Sequence, residues 1–181
     1  MPHRATLRTV ALLAAGAAMG ALAVAGSSAG ANTPPRHVTT VGHLSLDSSA
    51  FVPDGIHNSA TDYFNTWDPA TLSNQDSGRC FDAAVNLPPN ASLKHVTIYY
   101  TQGSQTLYAE LNRQTLATHT DATLFSVTTT TVVTPAYTSV TRSIAPKYAL
   151  VTNLLYAYSL GVCISASTTF TAAVLTYTTT T

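Results

Sequence analysis

From Asn32 onward the apolar positions recur every second residue in short runs, not at helical spacing. In 93–101, Val96, Ile98 and Tyr100 fall on one side, and His95, Thr97 and Tyr99 on the other. In 154–165, Tyr156, Tyr158, Leu160, Val162 and Ile164 alternate with Ala157, Ser159, Gly161 and Cys163. One apolar face and one small or polar face mark a half-buried antiparallel sheet. The pattern predicts strands near 62–67, 81–87, 93–101, 106–113, 122–134, 137–144, 154–165 and 170–178. Nowhere does an i, i+3, i+4, i+7 pattern last three turns. Turn residues punctuate the runs: Gln102-Gly103-Ser104-Gln105 lies at hairpin distance between two strong strands, and Pro88-Pro89-Asn90-Ala91 closes another, with Asn90 able to take a positive φ. The expected fold class is all-β: a single antiparallel β-sandwich, or jelly-roll-like domain, of about eight strands over 50–181. Residues 32–49 are polar and read as a flexible N-terminal arm, although the strand-like Val38 to Leu46 has the pattern to pair with a sheet edge.

The first thirty residues follow a different rule. Arg4 and Arg8 precede an uncharged Ala/Leu/Val/Gly run, and Ala29-Gly30-Ala31 ends it with small residues. A basic start, an apolar middle and an A-x-A end define a secretory signal peptide, 1–31, of Sec type, cleaved after Ala31 or, second, after Ala25. The run is too weakly apolar for a transmembrane anchor, which needs ~20 strongly apolar residues. The expected location is therefore extracellular. Cys80 and Cys163 are the only cysteines, and in an exported chain two cysteines usually pair. A bridge between them closes an 83-residue loop, for which chain entropy gives about 4.5 kcal/mol as an upper value.

Composition narrows the function more than it specifies it. Eight Lys+Arg balance eight Asp+Glu, and only 9% of residues are charged. No basic stripe exists for nucleic acid, and 45% hydrophobic content suffices for a core. Thr-rich runs such as Thr128 to Thr131 suit a pleated surface better than a helix.

Candidate chemistry is sparse. Gly26-Ser27-Ser28-Ala29-Gly30 matches G-x-S-x-G, but it lies in the leader without the strand and helix a nucleophile elbow requires. Glu110 is the sole glutamate; alternation with Leu107, Ala109 and Leu111 turns it outward into solvent. Asp47, Asp54, Asp62, Asp68, Asp76 and Asp121 fall where turns are expected, a common place for Asp. His37, His43, His57, His95 and His119 show no metal spacing, so neither a metal nor another cofactor is expected. The oxygen-rich segment Asp68 to Asp76 has no EF-hand spacing. Asn90-Ala91-Ser92 is a glycosylation sequon that a bacterial-looking leader leaves unmodified.

Aromatic residues give the better lead. Tyr63 and Trp67 precede the Asp68-Pro69 turn, and Tyr99 lies on the polar side of its strand. Exposed rings there can stack on sugars or anchor a protein interface, while the competing reading packs them into the core.

Phe51-Val52-Pro53, Leu87-Pro88 with its turn and Ala91, the Tyr99-Tyr100 strand, Leu111, the Tyr156-Ala157-Tyr158 strand and the final strand to Tyr177 together resemble a group of uncharacterised secreted bacterial β-proteins. Their usual turn is Leu-Pro-x-Gly-Ala, and Asn90 stands here where Gly is expected. The resemblance implies a β-sandwich and carries no known activity.

The function expected is a secreted, non-catalytic surface-interaction or structural module. Its expected partners are a polysaccharide or cell-wall surface or a protein, including a homo-oligomer; neither nucleic acid nor, after signal cleavage, a membrane is expected. The alternative is a small secreted hydrolase with an Asp-based acid/base site, which would need a concave pocket holding two carboxylates or a carboxylate and a His.

Overall fold

The computed structural model describes residues 37–54, 63–67, 70–74, 79–131 and 136–181, without the side chains of residues 64, 67 and 70. The leader with both cleavage sites, and His57, lie outside these residues. Chain order gives β1 (Thr39–Asp47), β2 (Val52–Pro53), β3 (Tyr63–Trp67), β4 (Ala70–Asn74), β5 (Arg79–Ala84), β6 (Ser92–Gln102), β7 (Leu107–Thr115), β8 (Asp121–Thr128), β9 (Ala136–Ser143), a short helix α1 (Pro146–Ala149), β10 (Tyr156–Ile164) and β11 (Thr169–Thr180). The strands form two antiparallel sheets. Sheet A runs β3-β4-β11-β6-β9, with β1 also on β11; sheet B runs β2-β5-β10-β7-β8. The expected β-sandwich is the observed architecture.

Alternation decides which side chains enter the core. Val96, Ile98 and Tyr100 of β6 and Leu160, Val162 and Ile164 of β10 are buried, as their period predicts. Leu72, Phe81, Leu107, Leu111, Phe170 and Leu175 complete the layer between the sheets. Phe51 meets Phe170 edge-on, with ring centroids 4.7 Å apart. Each such side chain contributes roughly 1.5–3 kcal/mol by leaving water.

Three local expectations are corrected. Residues 39–47, read as part of a flexible arm with pairing of the strand-like Val38 to Leu46 as the alternative, follow the alternative: they form β1 and pair with β11 over nine consecutive positions from Thr39↔Thr180 to Asp47↔Ala172. The cause is apolar: Leu46 is buried and Leu44 packs on the core, so the segment gains from docking what its polar neighbours do not. Residues 70–74, read as loop, form β4, because Leu72 is fully buried and pairs with Phe170.

The third correction concerns the turn after Gln102, which is not a hairpin. β6 belongs to sheet A and β7 to sheet B, so 103–106 arches between the layers. Residues 165–168 arch back from β10 to β11 beside it. Ser104 Oγ and Ser167 Oγ are 2.9 Å apart, and Thr168 Oγ1 donates to Gln105 O at 2.8 Å. Asn90 takes φ 61° as its turn demands, and Ser167 takes φ 70°. Loop length is the same for a hairpin and an arch, and the partner strands decide which forms.

Candidate functional site

On sheet B, the residues that alternation turns away from the core meet in rows across β5, β10, β7 and β8. Asp82, Gly161, Glu110 and Ser126 are successive cross-strand partners, as are Ala84, Ser159, Asn112 and Thr123. Ala157, Gln114 and Asp121 follow one step further along. Polar side chains therefore stand around a strip of small residues on β10, and the sheet surface sinks between them. The hollow measures about 360 Å³ and is lined by Asp82, Glu110, Asn112, Gln114, Asp121, Ala157, Tyr158 and Ser159.

A second hollow of about 350 Å³ is lined by Ala84, Val85, Asn86, Leu87, Asn153, Tyr156, Ala157 and Tyr158. The two share Ala157 and Tyr158, so they lie side by side at the Tyr156 end of β10. Asn153 Nδ2 donates to Leu87 O at 2.8 Å, and the Tyr158 hydroxyl accepts from the Thr152 amide at 3.0 Å. These contacts hold the loop that walls the groove.

Hydrogen bonds fix the polar groups. The Tyr108 hydroxyl donates to Glu110 Oε2 at 2.6 Å, and Asn112 Nδ2 donates to Glu110 Oε1 at 2.8 Å. The bond to Glu110 raises the Tyr108 pKa, with desolvation adding to it. Asn112 Oδ1 is shielded from solvent and without a hydrogen-bond partner. Asp82 has a pKa above the ordinary carboxylate value, first by desolvation and then through the negative charges of Asp54 and Glu110. Gly161 makes this proximity tolerable. A Cβ there would stand 3.0 Å from Asp82 Oδ1 and 3.7 Å from Glu110 Cγ. Carboxylates, amides and a serine hydroxyl thus converge on an open groove, a set able to accept from and donate to a polyhydroxylated chain.

The predicted site residues are not gathered in this way. Tyr63 is half-buried and meets the Phe81 ring edge-on, with centroids 5.1 Å apart; it packs on the core. Tyr99 is half-buried on the outer face of sheet A, between Ala172 and Ser139. Trp67 pairs with Ala70 at the end of β3, and its side chain lies outside the described residues. Tyr63 and Tyr99 face opposite sides of their sheet, so they form no common platform. Glu110 does turn outward, but into the groove and its hydrogen bonds instead of open solvent.

Cys80 and Cys163 form the expected disulfide between directly opposed positions of β5 and β10. It fits an oxidising, extracytoplasmic compartment. No helix of the described residues is long and apolar enough to cross a membrane. His43 Nδ1 lies 3.2 Å from Thr176 Oγ1, and Ser143 Oγ lies 3.3 Å from His95 Nδ1; both histidines belong to the outer face of sheet A. Among the described residues, no three His, Cys, Asp or Glu are grouped so as to hold a metal ion.

Sequence reasoning missed the groove as a unit. Asp82 was the one aspartate that a predicted strand, and no turn, carried. Glu110, Asn112 and Gln114 alternate on another strand. Both signals were present. The register that brings them to either side of β10 was not.

No family model matches the chain, and no curated protein matches it. Among solved structures it is similar to the C-terminal CBM6 of LamC, a laminarinase from Zobellia galactanivorans, at TM-score 0.46 and 10% identity, covering 74% of this chain and 98% of that one. It is similar also to the xylan-binding module CBM15 at TM-score 0.46 and 9% identity, covering 75% and 97%, and to a CBM4 structure at 0.41 and 8%, covering 74% and 96%. Likeness at this level decides nothing about the ligand of this chain.

Proposed function

We propose that the protein is an exported, non-catalytic β-sandwich module that binds polysaccharide in the groove on the outer surface of sheet B. The observation that carries this reading is the groove lining itself: carboxylate, amide and hydroxyl groups, with Glu110 and Asn112 held by hydrogen bonds, beside a strip of small residues. Sugar hydroxyls both donate and accept. Glu110 and Asp82 take donors, Asn112 has an amide hydrogen to give beyond the one it donates to Glu110, Gln114 both donates and accepts, and the open floor over Ala157, Ser159 and Gly161 lets a flat ring approach. Each hydrogen bond to a charged group contributes about 1.5–3 kcal/mol, so a few such contacts suffice for micromolar to millimolar binding.

The test is co-sedimentation of residues 32–181 with insoluble polysaccharides and cell-wall preparations. Saturable retention reduced about tenfold or more by Glu110→Ala and by Asn112→Ala, in folded variants, supports the groove. Retention lost with Trp67→Ala but untouched by the groove variants would return the site to an aromatic platform. No retention on any surface would refute the reading.

One observation favours a second reading, an acid/base hydrolase. Asp82 and Glu110 flank Gly161 in one concave groove, and Asp82 is shifted toward its acid form. Two carboxyl groups facing one hollow are what acid/base hydrolysis requires. Release of soluble reducing ends from a polysaccharide, abolished by Glu110→Gln, would establish it; retention without release would remove it.

A further inference from the structure

The four leucines at positions 116, 150, 154 and 155 are all strongly exposed, from 49% at Leu116 to 92% at Leu154. They gather at one end of the sandwich. Leu150 bridges to Ser92, the start of β6 in sheet A. The Leu116 amide donates to Leu155 O at 2.9 Å beside the β7–β8 turn of sheet B. The segment 150–155 therefore crosses the end from one sheet to the other and carries three of the leucines outward. The opposite end is closed by the two arches, whose residues are Gly, Ser, Gln, Thr and one Ala.

Cations rim the leucine end. Lys94 Nζ lies 3.2 Å from Ser92 Oγ. The Arg113 guanidinium stands 4.3 Å from the Tyr156 ring centroid and 5.1 Å from that of Tyr148. Lys147 Nζ is 4.6 Å from the Tyr148 ring. These are three of the six basic residues that follow Ala31. Asp121 starts β8 nearby and lines the groove.

We propose that this end docks on a bilayer surface carrying anionic phospholipid, with Leu154 and Leu155 entering the acyl boundary while the exposed Lys94 and Lys147 meet headgroup phosphates. The shape argues for lipid over protein. A leucine as exposed as Leu154 needs a matching cavity in a rigid partner, whereas a fluid bilayer opens around it. The charge argues the same way, since basic residues beside apolar tips add attraction to anionic lipid.

The experiment is sedimentation of residues 32–181, which contain the whole compact unit from His37 to Thr181, with vesicles of phosphatidylcholine alone or mixed with phosphatidylglycerol. Wild type is expected to partition onto the mixed vesicles and to leave them at high salt. Leu154→Ser with Leu155→Ser is expected to lower the partition at least about tenfold, and Lys147→Gln about fivefold. In a Trp67→Phe background, Leu154→Trp supplies a direct reporter, because a blue shift that appears only when mixed vesicles are added marks entry of the tip into the bilayer. Neither leucine is packed inside, so folding is spared.

An unshifted Trp emission with no partition overturns the proposal. So does equal binding to neutral vesicles that resists salt. Self-association abolished by the same leucine changes, without vesicle binding, overturns it in favour of a second copy. The polysaccharide groove does not include these leucines, so saccharide retention and vesicle partition can fail separately.

Discussion

With no Cβ at Gly161, Asp82 Oδ1 and Glu110 Cγ both come within 4 Å of one point above β10. Gly161→Ala would occupy that point. The atom it meets first is the far end of a flexible side chain, so the fold is expected to tolerate the change within about 1 kcal/mol. Asp82 must swing away, and saccharide retention is expected to fall about tenfold; an unchanged binding isotherm would show that Asp82 does not serve the groove. The same crowding has a pH consequence. A carboxyl whose folded pKa is raised contributes stability below its unfolded pKa, and that contribution is lost as pH rises through the raised value. Asp82 is shifted in this sense. Asp82→Asn is therefore expected to raise the melting temperature slightly at neutral pH and to flatten its fall across the acidic range above the ordinary carboxylate pKa. A variant that melts lower than wild type at pH 7 would contradict this. Asp47 acts oppositely: hydrogen bonds from Ser49 lower its pKa, and its contribution fades as pH falls through that lowered value.

At the scale of elements, strand existence was readable because a half-buried strand must alternate. Partnership was not readable. The turn at Gly103 shows why: four residues can close a hairpin or span two layers, and the choice depends on whether β6 and β7 find better neighbours elsewhere. They do, β6 between β11 and β9, β7 between β10 and β8. Gly103 is the residue the arch requires, since a Cβ would lie 1.9 Å from Ser167 O. Gly103→Ala is expected to cost about 2–3 kcal/mol, measured from the urea midpoint; an unchanged midpoint would show that the arch opens to admit the methyl group. β4 escaped the sequence reading, and β1 was legible only as a strand-like stretch within a polar arm, for a related reason. Each is mostly polar, and its few apolar positions matter only because β11 offers a place to bury them. The groove was hidden likewise: Asp82 and Glu110 are 28 residues apart, and only their shared neighbour Gly161 unites them.

For the molecule as a whole, the disulfide ties β5 to β10 across 83 residues of sequence. Replacing both cysteines by Ala is expected to lower stability by up to about 4.5 kcal/mol, seen as a drop in the melting temperature that reduction of the wild type reproduces. A loss below 1 kcal/mol would mean that the denatured chain keeps the two strands together without the bond. The sheet order has a further consequence, in the timing of synthesis. β11 is central in sheet A and β10 in sheet B, yet they are the last two strands of the sandwich to leave the ribosome. Until they emerge, neither layer can be completed, and β1 has no partner for its nine positions. Closure of both sheets waits for non-local pairings, so the nascent chain stays open for nearly its whole length, the state that the export proposed above would require before folding.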